Sequence, residues 1–329
     1  MRIQATMRAG ILGLAGLVGV TGCTAEAPVG SGGVNGELLL DGRILALYPF
    51  GIAVGADAAF VTVAEAPIGR IVRIPIDGGP ATVIAADLDS PTAILADGDE
   101  LFVTTSTKLL RLPQDGSAPP VELAPLESAG YADIAVDATH IYYTEYTDPG
   151  AVRRVARAGG SPETIATGDS YPSGIAVRGG RVYWNVLHGN VIRSANVDGS
   201  DVTTFASDQP APRLALEATD DTLYWIPEAV VPATVMQAPL AGGAPVALGA
   251  LTTHDVGYSP ELVILGDYIY ARTPLLEDGT CGIARLPLAG GPAEELPLDP
   301  MFTCPLAIAA GGSDLYFTFA DGVGRIDLP

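Results

Sequence analysis

The sequence predicts an all-β fold, a seven-bladed β-propeller of four-stranded antiparallel blades, and three kinds of landmark that recur in register predict it. The first is a short apolar segment after a turn, at 51–54, 93–95, 134–136, 174–177, 214–216, 262–264 and 306–308. The second is an aromatic segment containing Phe60, Phe102, Tyr142, Tyr183, Tyr224, Tyr270 and Tyr316, at spacings of 42, 40, 41, 41, 46 and 46 residues. The third carries a long polar residue, at Arg73, Arg111, Arg154, Arg193, Gln237, Arg285 and Arg325. A Gly turn generally follows, as in Asp77-Gly78-Gly79, and then a fourth short strand such as 82–85 or 163–166. Four strands in a repeat of about 40 residues make one propeller blade. Alternation and turn residues mark strands throughout, and no segment sustains a helical period.

The last repeat stops after its third strand, at 325–328. Glu37-Leu38-Leu39-Leu40, or the following 43–47, precedes the first inner strand without a blade of its own. Either segment supplies the missing outer strand of blade seven. Such a closure joins the two ends of the repeat region and removes an open sheet edge.

Composition agrees with this reading. Forty Gly and 27 Pro are turn punctuation in a repeated β fold, and 48% apolar against 17% charged residues excludes a disordered chain. The 38 acidic residues outnumber the 17 basic ones for a net charge of −21, which argues against nucleic acid or anionic headgroups as partners. Lys108 is the single lysine.

Ahead of the repeats, Arg2 and Arg8 precede an apolar run over 9–20 that is too short to span a membrane. The run ends Val20-Thr21-Gly22-Cys23, which resembles a bacterial lipobox. The resemblance implies that 1–22 is a signal peptide and that Cys23 becomes the lipidated first residue. Thr24 rather than Asp follows it, which by the same resemblance implies the outer membrane of a Gram-negative envelope. Residues 23–36 then form the lipidated Cys and a Gly-rich tether, and 37–329 form the propeller domain.

Ile141-Tyr142-Tyr143-Thr144, Val182-Tyr183-Trp184-Asn185, Leu223-Tyr224-Trp225-Ile226 and Leu315-Tyr316-Phe317-Thr318 resemble YWTD-type and TolB-like propeller repeats. The resemblance covers nearly the whole mature chain and implies the fold. It does not choose a function, because those families bind proteins, bind ligands or catalyse. The Asp after Thr is missing, and seven copies replace the six of YWTD receptors.

With strands lettered A to D, the A–B and C–D turns lie on one face, and the B–C loops and D–A crossings on the other. The first set is tight, whereas insertions gather in B–C, at 145–150, 227–234 and 272–281, and in D–A, at 249–260 and 298–304. Loops on a rigid scaffold carry binding, so this insertion face is the expected working face. Its candidate residues are Tyr48, Phe50, Tyr131, Glu145, Tyr171, His188, Glu228, His254, Asp255 and Tyr258. Cys281 and Cys304 fall on the same face and are expected to pair in an oxidising compartment, leaving Cys23 as the anchor.

Catalytic groups are sparse. His188 and His254 come from different blades, no HxH or HxxxH spacing is present, and no nucleophile elbow or phosphate-binding loop appears. No catalytic residue is assigned, the metal ligands are unknown, and no cofactor is expected. The sequence therefore reads as a monomeric, non-enzymatic propeller lipoprotein, held at the envelope membrane by its lipid alone. It would bind an envelope protein or glycan through the B–C and D–A loop face. The alternative is a metal-dependent lactonase or lyase, with calcium held at the channel mouth by carboxylates such as Glu65, Glu145, Asp148, Glu228, Asp255, Glu277 and Asp278.

Overall fold

The computed structural model describes residues 36–41, 49–64, 68–127, 132–210, 212–227, 232–251, 261–273, 281–296, 304–320 and 322–328, with Leu298 and Phe302. Every regular element among them is a strand, 28 in all, arranged in seven four-stranded antiparallel sheets. Blade one shows the pattern, with A at Pro49–Val54, B at Ala58–Val63, C at Gly69–Pro75 and D at Thr82–Leu88. The A strands line the central channel. Among the described residues no helix is long and apolar enough to cross a membrane.

Blade seven closes the ring as the sequence predicts. Strands A, B and C are Pro305–Gly311, Asp314–Phe319 and Gly322–Asp327, and Gly36–Asp41 adds antiparallel as the outermost strand. Gly36 faces Ile326 and Asp41 faces Gly322. Of the two candidate segments, 37–40 is the one that closes the ring, whereas 43–47 lies outside the described residues.

Strand B sits in the middle of each blade, so both of its faces are covered. In blade one all six of its residues are buried. This explains the aromatic landmark, since each ring fills the gap between two sheets. Tyr142 packs with Ile175 and Trp184 of blade four. Tyr183 packs with Leu216 and Trp225 of blade five, and Tyr316 meets Ile52 and Val61 of blade one. Side chains of this size stabilise by about 1.5–3 kcal/mol each when fully buried. The core is therefore a ring of clusters at the blade interfaces rather than one central mass.

The polar landmark on strand C joins blades in a second way. Arg111 donates through Nη1 to the carbonyl of Arg157 at 2.7 Å, Arg154 to that of Val197 at 2.6 Å, and Arg325 to that of Ile76 at 3.0 Å. Each carbonyl belongs to the next blade round the ring. In these blades the arginine faces the aromatic landmark across the sheet, as Arg154 faces Tyr142. Blade four differs by one residue. There Ser194 faces Tyr183, and Arg193 faces Trp184 instead. A one-residue offset turns a side chain to the other face of a strand, and Arg193 accordingly reaches back to Asp169 of blade three at 2.7 Å.

The C–D turns show why Gly pairs recur. Gly78 and Gly79 have φ of 90° and 119°, a region that costs other residues free energy. On the insertion face, Cys281 and Cys304 form a disulfide with Cα atoms 5.2 Å apart. It ties the entry to strand C of blade six, Gly282–Pro287, to the entry to strand A of blade seven.

Candidate functional site

On the insertion face the structure brings two of the expected residues together. Tyr171 lies in the D–A crossing from blade three to blade four, just before strand A at Pro172–Arg178. Its N–H donates to the carbonyl of Thr147 at 2.9 Å, and its own carbonyl accepts from Leu187 N–H at 3.3 Å. Thr147 and Leu187 belong to the B–C loops of blades three and four, so Tyr171 is pinned between two loops. It is held at a φ of 55°, a left-handed conformation that is strained for a bulky residue.

Around that pinned backbone three rings meet. Tyr146 lies 5.0 Å from Tyr171 between centroids, tilted by 50°. His188 meets Tyr171 at 4.8 Å between centroids and 73°. His188 Nδ1 also lies 3.3 Å from Ser170 Oγ. Both tyrosines are half-buried and His188 is exposed. The result is an aromatic surface edged with two phenols, an imidazole and a hydroxyl, a combination suited to amphipathic contact.

The other candidates fall elsewhere. Phe50 is 51% exposed and stands at the wall of the central channel. Glu145 is buried and accepts a 2.9 Å hydrogen bond from Arg153 Nε, so its charge serves an ion pair within blade three. Cys23, Tyr48, Tyr131, Glu228, His254, Asp255 and Tyr258 lie outside the described residues, as do the carboxylates Glu65, Glu277 and Asp278. Tyr146, which sequence reasoning passed over, joins the cluster because the B–C loop of blade three folds it against the neighbouring crossing.

The second feature is the channel itself, a cavity of about 570 Å³ between the A strands. Its charged lining residues are Asp133, Arg178, Glu217 and Glu261. Strand registers put Asp133 and Glu261 at matching positions, two residues before those facing Tyr142 and Tyr270. Small residues hold the matching positions in the other blades, among them Gly51, Ala93 and Ala307. Each of these acids bonds to the next blade. Asp133 Oδ2 accepts from Ile175 N–H at 3.1 Å and Oδ1 from Ile134 N–H at 2.8 Å, while Glu261 Oε2 accepts from Ile308 N–H at 2.9 Å.

Burial raises all three carboxyl pKa values. Asp133 is pushed up to about 7, chiefly by desolvation and further by the charge of Glu261, against the two backbone N–H groups. Glu217 is likewise pushed up to about 7, by burial and then by Asp133, with the Ala218 N–H and Arg178 opposing. Burial raises Glu261 too, while Arg272 pulls the other way. The sequence offered one signal of these residues, an acid inside or beside an apolar inner strand, as in Leu216-Glu217-Ala218. Among the described residues no group of three or more His, Cys, Asp or Glu side chains is arranged to hold a metal ion.

Comparison with known proteins adds to the architecture. Virginiamycin B lyase from Staphylococcus aureus superimposes with a TM-score of 0.68 at 19% identity, covering 90% of this chain and all of that one. What is shared is the fold. A puromycin-hydrolyzing peptidase from Mycobacterium tuberculosis gives a TM-score of 0.62 at 15% identity, covering 90% of this chain but only 54% of the peptidase. The computationally designed Ika8 protein gives 0.54 at 10% identity, covering 90% of this chain and 98% of that one. No protein-family model matches the chain, and no curated protein matches it.

Proposed function

We propose that the protein is an envelope-anchored, non-enzymatic propeller lipoprotein that binds a protein or glycan partner through its B–C and D–A loop face. The observation that carries this reading is the cluster of Tyr146, Tyr171 and His188. Strain at a non-glycine residue persists where surrounding structure over-determines it, and such residues gather at ligand sites. Two loops hold Tyr171 in that state and present its ring beside His188. Rigid aromatic area with adjacent hydrogen-bonding groups binds at a small entropic cost.

In this reading residues 1–22 direct export, Cys23 carries lipid, and 24–35 give the monomeric propeller that follows its reach from the membrane. The net charge of −21 offers no attraction to anionic headgroups, so the lipid alone would supply attachment. The metal-dependent alternative finds less support, because Glu145, one of its carboxylates, is already held in an ion pair with Arg153.

The test joins an anchor arm to a binding arm. In a Gram-negative host, metabolic fatty-acid labelling should mark the wild-type chain and miss Cys23→Ala. A glycan array and an envelope-protein pull-down should each be probed with wild type, Tyr171→Ala and His188→Ala. Saturable capture that falls at least tenfold in either variant supports the reading. Capture that both variants retain in full would overturn it.

A further inference from the structure

The central channel presents an anion without a counter-ion in an apolar wall. Ile52, Ile94, Ile134, Ile175, Leu216 and Ile308 contribute aliphatic surface to a cavity of about 570 Å³, within the usual range for small-molecule sites of roughly 300–1,000 Å³. Three carboxylates share that lining with one guanidinium. Asp133 and Glu261 already accept hydrogen bonds from the inner strands of the next blades. Glu217 differs from both. It has no hydrogen bond to a neighbouring blade and no ion pair among the described residues, although the adjacent Ala218 N–H favours its charged form.

Arg178 does not fill that role. Its Nη2 donates to the carbonyl of Ala218 at 3.3 Å, and its Nη1 lies 3.9 Å from the exposed Asp220. Its charge is felt at Glu217 without contact. An ionised carboxylate in apolar surroundings is costly unless a cation and hydrogen-bond donors compensate it. A hard metal ion would need several converging oxygens, and no such group exists among the described residues. An organic ammonium needs less. It can donate to one carboxylate, sit within the field of the other two, and lay a hydrocarbon body on the aliphatic wall.

We propose that the central channel binds a primary amine carrying an apolar body, with the ammonium on Glu217 and the body against the isoleucine-rich inner strands. This site is independent of the loop-face cluster. The channel acids are thus both latches between blades, at Asp133 and Glu261, and a recognition group, at Glu217.

Isothermal titration of the mature chain at pH 7.5 tests it with four probes. These are phenethylammonium, its neutral isostere 2-phenylethanol, the anion 3-phenylpropanoate, and methylammonium, which has charge without a body. Saturable one-to-one binding of phenethylammonium, at least tenfold tighter than that of 2-phenylethanol or methylammonium and with 3-phenylpropanoate silent, is the expected result. Equal binding of amine and alcohol, or no saturable binding of the amine, overturns the proposal without any variant. Glu217→Gln should remove the preference for the amine while the chain still melts cooperatively, and a preference that survives this change also overturns it. Tyr171→Ala should bind the amine as wild type does, which separates this result from failure of the loop-face reading. Loss of amine binding in that variant places the amine outside the channel and overturns the assignment.

Discussion

Trp184 Nε1 donates a 2.8 Å hydrogen bond to Asp169 Oδ2, joining strand B of blade four to the end of strand D of blade three. One blade further on, Trp225 Nε1 makes the same 2.8 Å bond to Gln209 Oε1. Both indoles are fully buried, and each finds its acceptor in the preceding blade, at the end of strand D for Trp184 and in the crossing for Trp225. Asp169 also holds Arg193 through its other oxygen. Asp169→Ala therefore leaves a buried indole N–H and a partly buried guanidinium without their acceptor. The expected loss is about 3 kcal/mol or more, against about 1–2 kcal/mol for Gln209→Ala, where the bonds lost, to Trp225 and to the Ser207 carbonyl, are both neutral. Asp169→Asn keeps an acceptor for Trp184 and should fall between them. Denaturant unfolding of the three variants checks the order.

The closure of blade seven yields a second expectation. Gly36–Asp41 covers the outer edge of strand C, Glu37 pairs with Arg325, and Leu39 packs against the cluster that joins blades seven and one. Deleting residues up to 41 uncovers a row of backbone donors and acceptors on Gly322–Asp327, an edge that recruits other chains. The truncated chain should melt at a lower temperature and associate as concentration rises. Light scattering over a dilution series measures the association, and a monodisperse truncated chain would contradict the closure argument.

Fold and site were legible to different degrees, for physical reasons. The aromatic landmarks could be read because strand B is buried on both faces, so each blade demands a large apolar side chain at one register position. Arg193 misled by one residue, because an arginine on either face of strand C looks alike in sequence, and only pairing with Tyr183 or Trp184 tells the faces apart. Tyr171 and His188 were readable as loop-face residues, but their contact depends on a left-handed backbone at a tyrosine, which no composition rule anticipates. Asp133, Glu217 and Glu261 stand out in sequence only as acids in or beside apolar inner strands. Their meaning comes from the closing of seven inner strands around them, a long-range fact.

The disulfide gives a further measurable quantity. Cys281 and Cys304 are separated by 23 residues, and closing a loop of that length stabilises by about 3 kcal/mol in the chain-entropy model. The bond spans the step from blade six to blade seven, and strand D of blade six is short, Glu294–Leu296. Cys281→Ser with Cys304→Ser should lower the unfolding free energy by about that amount. Reductant should lower wild type to the same level and leave the double variant unchanged.

The channel acids set the pH dependence of stability, and its sign follows from the direction of their shifts. Asp133 and Glu217 are both raised to about 7, so between their unfolded values near 4 and that point the folded chain holds more protons than the unfolded one. Their contribution is fully present below about pH 4 and is lost as pH rises through 7. Stability should therefore decline from pH 4 to pH 7.5, whereas a paired carboxylate with a lowered pKa changes stability only below about pH 5. Glu217→Gln removes one titrating group, so its melting temperature should vary less over the same window. Asp133→Asn should also flatten the profile but start from a lower plateau, since an Asn amide accepts through one oxygen where the carboxylate serves both Ile134 and Ile175. Melting temperatures of the three chains at half-unit pH steps decide the matter, and parallel profiles would show that the channel acids do not titrate with folding.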